Sequence, residues 1–137
     1  MKIEVRYFTK SGNTKLVADA IATEFGKTAI DLDTPLTEYV DLLFLGCSMY
    51  KFTIDKKVKD FIKQNAKNIG LIVNFSTSAS GVSTLKKVKK VAFSNDVAVL
   101  DESFSCYGHF GIFHKNRPDA QDLENAKVFA IDVVRNV

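Results

Sequence analysis

The sequence predicts an α/β fold: a doubly wound, five-stranded parallel sheet of order 2-1-3-4-5, formed by residues 1–137 as a single domain. Three observations carry this. Short runs at strand period alternate with runs at helical period along the whole chain. Two runs, "DLLFLGCS" and "IGLIVNFS", are continuously apolar, as strands covered on both faces are. No repeat, linker or low-complexity tract divides the alternation, and only two prolines, Pro35 and Pro118, interrupt it.

The elements follow in order. Ile3, Val5 and Tyr7 alternate as a first strand. Val17, Ala20, Ile21 and Phe25 recur at helical spacing, and Gly26 stops that helix. "TAIDL" is a short second strand and "DLLFLGCS" the third. Ile54, Val58, Phe61 and Ile62 mark a second helix, "IGLIVNFS" a fourth strand, and Val82, Leu85, Val88 and Ala92 a third helix. "DVAVLDESF" is the fifth strand, and after Pro118 the residues Leu123, Ala126, Phe129, Ala130 and Val133 mark the last helix.

One crossover is shortened. Only "DTPLTEYV" lies between Leu32 and Asp41, and extended it spans roughly 26 Å at about 3.3 Å per residue. It can cross over the first strand but has little room for a helix. Glu4 and Arg6 stand on the strand face this crossover should cover, so that face is expected to be thinly covered and partly exposed. Its pair is expected to be a surface ion pair, or else part of a partner or dimer surface.

Composition narrows the function. With 46% apolar residues the chain can bury a core, and a net charge of +3 is too small for a dedicated nucleic-acid binder. There is no run of about 18 apolar residues for a membrane span and no apolar signal region at "MKIEVRYF", so a cytoplasmic protein is expected, monomeric or weakly dimeric. Cys47 and Cys106 are too few for a disulfide framework or a zinc site and are expected as reduced thiols, roughly 10 Å apart or more at about 4.8 Å per strand step.

In a doubly wound sheet, ligands bind beyond the carboxyl ends of the strands. The loop after the first strand, "TKSGNT", offers the unpaired N–H groups of a helix N-terminus, hydroxyls from Thr9, Ser11 and Thr14, the amide of Asn13, and Gly12 for close backbone approach. This is a cradle of neutral donors suited to a phosphate that is bound and left alone. A hydroxyl-rich helix cap would use the same residues. Lys10 and Lys15 flank the loop, but the nucleotide-binding GxxxxGK[ST] pattern is absent.

"T-x-S-G-N-T" after a first strand resembles the phosphate-binding signature of flavodoxins. The likeness extends over nearly the whole chain, through the aromatic-bearing "GCSMYKF", the hydroxyl-rich "FSTSASG", and the tail "ESFSCYGHFG" followed by "NRPDAQDLENAKVFA". The resemblance implies a flavodoxin-like fold and a noncovalently bound FMN used as a one- or two-electron carrier. It implies that Thr9, Lys10 (through its backbone), Ser11, Gly12, Asn13 and Thr14 hold the FMN phosphate. Tyr50 would stack on the ring, with backbone contacts from Ser48 and Met49. Ser76, Thr77, Ser78 and Gly81 would face the pyrimidine edge. Cys106, Tyr107, Gly108, His109 and Phe110 would lie where a loop closes over the ribityl chain or ring. His109 there is a proton donor to the ring or an ordinary surface residue.

Two features depart from the flavodoxin pattern. "STSASGVST" carries no second aromatic, and the chain is basic, with lysines gathered in "KFTIDKKVKDFIKQNAK" and "LKKVKK". Those runs are solvated helix faces or a surface that steers an acidic redox partner. No nicotinamide-binding fingerprint is present, which favours a carrier over a self-sufficient reductase of NAD(P)H or quinone. A dedicated redox or maturation partner of one enzyme, such as a ribonucleotide reductase, is the further alternative, and a scaffold for another phosphate ligand the weakest. A cysteine phosphatase is excluded because neither cysteine has an arginine six residues on, and a receiver domain because Gly46 and Cys47 stand where its acidic residue would end the third strand.

Overall fold

The computed structural model describes residues 1–137. Strands β1 (Ile3–Tyr7), β2 (Ile30–Asp31), β3 (Val40–Ser48), β4 (Ile69–Ser78), β5 (Ala98–Val99) and β6 (Phe104–Tyr107) alternate with helices α1 (Asn13–Glu24), α2 (Lys56–Asn65), α3 (Leu85–Ser94) and α4 (Ala120–Asn136). The sheet is parallel throughout, in the order β2-β1-β3-β4-β5, and β6 pairs with β4 beyond β5. The fifth strand of the sequence reading is therefore two strands. The chain takes five residue steps from Val99 to Phe104 where β4 takes three from Ile72 to Phe75, so the pairing breaks and resumes.

β3 and β4 form the centre of the sheet, and their side chains alternate between two cores. One packs Leu43, Leu45 and Ile72 beneath α2 and α3, with Val58, Ile62, Val88 and Ala92. The other packs Phe44, Val73 and Phe75 beneath α1 and α4, with Val17, Ile21, Ala126 and Ala130. No helix is long and apolar enough to cross a membrane.

Local chemistry sets the helix ends. Gly26 takes φ +64° after α1, with Gly26 N–H donating to Thr23 and Lys27 N–H to Ala22, the paired bonds of a Schellman stop. α3 ends the same way with Asp96 at φ +58° and Val97 N–H donating to Ala92. Ile54 and Val82, read from the sequence as helical, precede their helices: Asp55 caps α2 by accepting from Lys57 N–H, and α3 starts only after Thr84.

The short crossover carries no helix between β2 and β3. It nevertheless covers Arg6, which corrects the expectation for that residue, while Glu4 stays partly exposed on the face as expected. Arg6 is 3% exposed. Its Nε and Nη2 donate to Glu4 Oε1 at 3.1 and 2.9 Å, and Nη1 donates to the carbonyl of Thr34. The guanidinium binds the crossover's own carbonyls and so draws the loop down over itself, while Asn65 of α2 accepts from Leu36 N–H at 2.9 Å. What stays open there is a cleft of about 370 Å³ whose lining includes Glu4 and the edge of Arg6 with Lys2, Lys27, Thr28 and Thr37.

Candidate functional site

The carboxyl ends of β1, β3, β4 and β6 meet at one pole of the sheet. The β1–α1 loop forms its centre. Thr9 Oγ1 accepts from Gly12 N–H at 2.9 Å, closing a turn in which Gly12 adopts φ +92°, a left-handed conformation that glycine enters without a Cβ penalty. The turn points the chain into α1, whose hydrogen-bond ladder begins at Leu16 N–H donating to Gly12 at 3.2 Å. The N–H groups of Lys10, Ser11, Asn13, Thr14 and Lys15 have no acceptor in the protein. They sit at the positive end of the α1 dipole, with Ser11 exposed beside them. Idle donors at a helix N-terminus, with no acidic residue in its first turn, are a fit for a phosphate group.

Three hydroxyls lie behind this loop. Thr14 Oγ1, Ser48 Oγ and Thr77 Oγ1 stand 2.9 Å from one another in a closed triangle, all buried. The sequence reading gave Ser48 a backbone role and Thr77 a place at a ligand edge; it did not foresee that their hydroxyls join Thr14 in this triangle. Ser76 is also turned inward, its Oγ accepting from Thr84 N–H at 3.5 Å, and Ser78 Oγ donates to Val82 O at 3.2 Å. Gly81 lies at the rim at φ +79°, and a Cβ there would stand 3.0 Å from the Tyr107 ring.

The loop after β3 folds on itself. Tyr50 and Thr53 exchange backbone hydrogen bonds at 2.8 and 2.9 Å, with Lys51 and Phe52 both at positive φ between them. Met49 and Tyr50 are half-buried, and Lys10 Nζ lies 4.6 Å from the Tyr50 ring centroid, a cation–π contact that ties the cradle to this loop. Phe52 at the tip is 88% exposed.

The loop after β6 closes the other flank. Asn13 Nδ2 donates to the carbonyl of His109 at 2.8 Å, and Gly108 fits so closely that a Cβ there would meet Asn13 Nδ2 at 2.8 Å. This link was not legible in the sequence, where Asn13 reads only as a donor to a ligand. The His109 ring is exposed, with Nε2 2.7 Å from the carbonyl of Gly111. Tyr107 stacks on His114 at a centroid distance of 4.1 Å.

Neither thiol is poised as a nucleophile. Burial pushes Cys47 up to about 12. Burial, with the Asp122 carboxylate second, pushes Cys106 up to about 12. Cys106 packs toward the α1/α4 core, next to a cavity of about 330 Å³ that Arg117, Asp122 and Asn125 help to line. Both cysteines are free.

Arg117 and Asp122 hold the start of α4. Nε and Nη2 donate to the two carboxylate oxygens at 2.5 and 2.7 Å, and Asp119 and Asp122 form a reciprocal capping box. The Arg117 hydrogen bond holds the Asp122 carboxyl below the usual carboxylate range. A depressed folded-state value stabilises the protein above the unfolded value, near 3.9, and that stability is lost as pH falls through the folded value. Asp122→Asn is therefore expected to be less stable than wild type at pH 7, with the gap closing below about pH 4. Urea melts at several pH values check it, and a gap independent of pH would remove the ion pair from the explanation.

Comparison with known proteins bears on the fold. No family model matches the chain. An uncharacterized protein of Methanocaldococcus jannaschii is 28% identical, over 90% of this chain and 91% of its own. Among solved structures, a flavodoxin from the domain Archaea superposes with a TM-score of 0.79 at 19% identity, covering 99% of this chain and 98% of its own. Flavodoxin 2 from Bacillus cereus gives 0.72 at 17% identity over the full length of both chains. A flavoprotein from Lactobacillus acidophilus, solved in complex with FMN, gives 0.60 at 16% identity, over 76% of this chain and 91% of its own. The chain has the flavodoxin-like fold.

Proposed function

We propose that this protein binds FMN and serves as an electron-transfer protein. The observation that carries the reading is the set of idle N–H donors of Lys10, Ser11, Asn13, Thr14 and Lys15 at the α1 N-terminus, placed at the pole where the flavodoxin-like fold places ligands. Bound FMN would supply one- or two-electron carriage. The backbone of Lys10 to Thr14, with the Ser11 hydroxyl, would hold the phosphate. Tyr50 would lie along one side of the ring, its rotation limited by Lys10. Ser78 and Gly81 would border the pyrimidine edge, and the His109 segment, tied to Asn13, would border the ribityl chain or ring. The lysine-bearing outer faces of α2 and α3 suit an acidic redox partner, because charges of opposite sign speed encounter more than they strengthen the complex.

An absorbance titration with FMN, followed by removal of excess, tests this. Flavin is expected to stay with the protein, and Ser11→Ala to weaken binding about two- to tenfold, the range of one net hydrogen bond. Protein that retains no flavin at high FMN overturns the reading.

A further inference from the structure

We infer that the outer edge of β6 is a docking site for an extended segment of a partner protein, carrying a side-chain amide and a basic residue, which adds to the sheet as a further strand. The inference does not use the flavin reading. β6 pairs only with β4, so its other edge faces no strand. Gly108 N–H donates to Ser78 O at 3.1 Å, and in a parallel ladder alternate residues face the partner strand. Phe104, Cys106 and Gly108 therefore point their backbone groups at β4, while Ser105, Tyr107 and His109 point theirs outward. His109 N–H is already taken. It donates to the carbonyl of Arg117 at 2.9 Å, so the chain itself begins a pairing on this edge. Below it the N–H and C=O of Tyr107 and Ser105 have no partner in the protein, and both residues are exposed.

Open edges are ordinarily blunted by charge, proline or brevity. The opposite edge follows that rule: β2 has two residues, and Asp31 Oδ1 accepts from Asp33 N–H at 2.9 Å, turning the chain on itself. The "FSCY" of β6 holds no charge and no proline. The cavity of about 330 Å³ beside it lies where a side chain of an added strand would enter, and such pockets give strand addition its specificity. Its idle polar groups are donors. Arg117 Nη1, Asn125 Nδ2 and the Ser105 hydroxyl have no acceptor, while the other nitrogens of Arg117 serve Asp122. Asp122 already neutralises that guanidinium, with Asp119 Oδ2 3.7 Å from its Nε, so a neutral amide oxygen suits the pocket better than a carboxylate. At the start of the edge Glu102 is exposed and free of any ion pair, while Asp101 before it holds Lys89. Glu102 suits a lysine or arginine on the incoming segment. This partner is thus opposite in charge to the one that suits α2 and α3.

The probe is a synthetic peptide of alternating valine and threonine, with a central glutamine and a lysine at each end, titrated into the full chain and followed by backbone amide NMR. The amide signals of Ser105 and Tyr107 are expected to shift and their hydrogen exchange to slow. N-methylating the peptide residues that pair with β6 should weaken binding about tenfold or more, since two backbone hydrogen bonds are lost. Leucine in place of the peptide's glutamine, or Asn125→Ala at its exposed helix position, should each weaken binding about two- to tenfold. Signals of Ser105 and Tyr107 that do not move overturn the site, and an N-methylated peptide that binds as well as its parent overturns strand addition. A peptide with glutamates in place of its lysines that binds equally overturns the basic partner. Free protein that self-associates with the same two amides shifted gives the edge to a second copy, and that too overturns the proposal.

Discussion

Arg6→Ala is expected to destabilise the protein by about 3–4 kcal/mol and lower the melting temperature by roughly 10 °C. The substitution removes the cation hydrogen-bonded to Glu4, whose side chain is only 19% exposed, and leaves it Lys2 Nζ at 3.9 Å alone. It also strands the carbonyl of Thr34 and removes the guanidinium's face from above Phe61, whose ring centroid lies 5.9 Å from Arg6 Cζ. The crossover from β2 to β3 has no helix to pack its own apolar stripe on the sheet, so this guanidinium and the Asn65 amide oxygen are its buried polar anchors, beside the core side chain of Leu36. Removing one partner of a buried pair costs more than removing both, since the survivor stays desolvated. Arg6→Met with Glu4→Leu should therefore recover part of the loss. A single variant within about 1 kcal/mol of wild type in a urea melt would mean that the loop is held by its apolar contacts, Leu36 foremost.

Arg6 also marks a limit of what the sequence discloses. A charge at a strand position reads as solvent-facing, because burying an ion unpaired is prohibitive. Here the Glu4 pairing was legible, but the carbonyls that complete the site lie nearly 30 residues away, and no local pattern announces them. The same limit explains other departures. Asp96 stops α3 in a left-handed conformation that sequence patterns assign first to glycine. The break between β5 and β6 depends on how β4 is paired, not on any breaker between Val99 and Phe104. By contrast, β3 and β4 were legible from apolar runs alone, since strands covered on both faces tolerate little else. The β1–α1 loop was legible as a turn into a helix from its glycine and hydroxyls, though whether the hydroxyls cap the helix was not, and in the structure none does. Which way Ser48 and Thr77 point was not, because that requires the β3–β4 register, and a shift of one residue reverses it.

Gly46→Ala is the second large effect expected, and it ties the core to the site. A Cβ at Gly46 would stand 2.1 Å from Phe75 Cε2 and 2.3 Å from Cζ. Phe75 is fully buried and is Gly46's neighbour across the β3–β4 pair, so its ring lies directly over the glycine and has no free space to retreat into. Overpacking of this kind costs about 1–3 kcal/mol and sometimes more; with contacts this short the upper end is expected. Strand alternation places Gly46 and Ser48 on one face of β3, and Phe75 and Thr77 on the same face of β4. The Phe75 ring thus lies on the face that carries the hydroxyl triangle, one strand repeat before it, so that displacing it disturbs the β3–β4 ends that hold Ser48 and Thr77. Gly46→Ala should lower the melting temperature by roughly 10 °C and weaken FMN binding in the fraction that remains folded. Gly46→Ala with Phe75→Leu, which withdraws the ring, should recover stability relative to Gly46→Ala alone. If the double variant is the less stable of the two, the clash is relieved by a backbone shift of β3 and not by the ring.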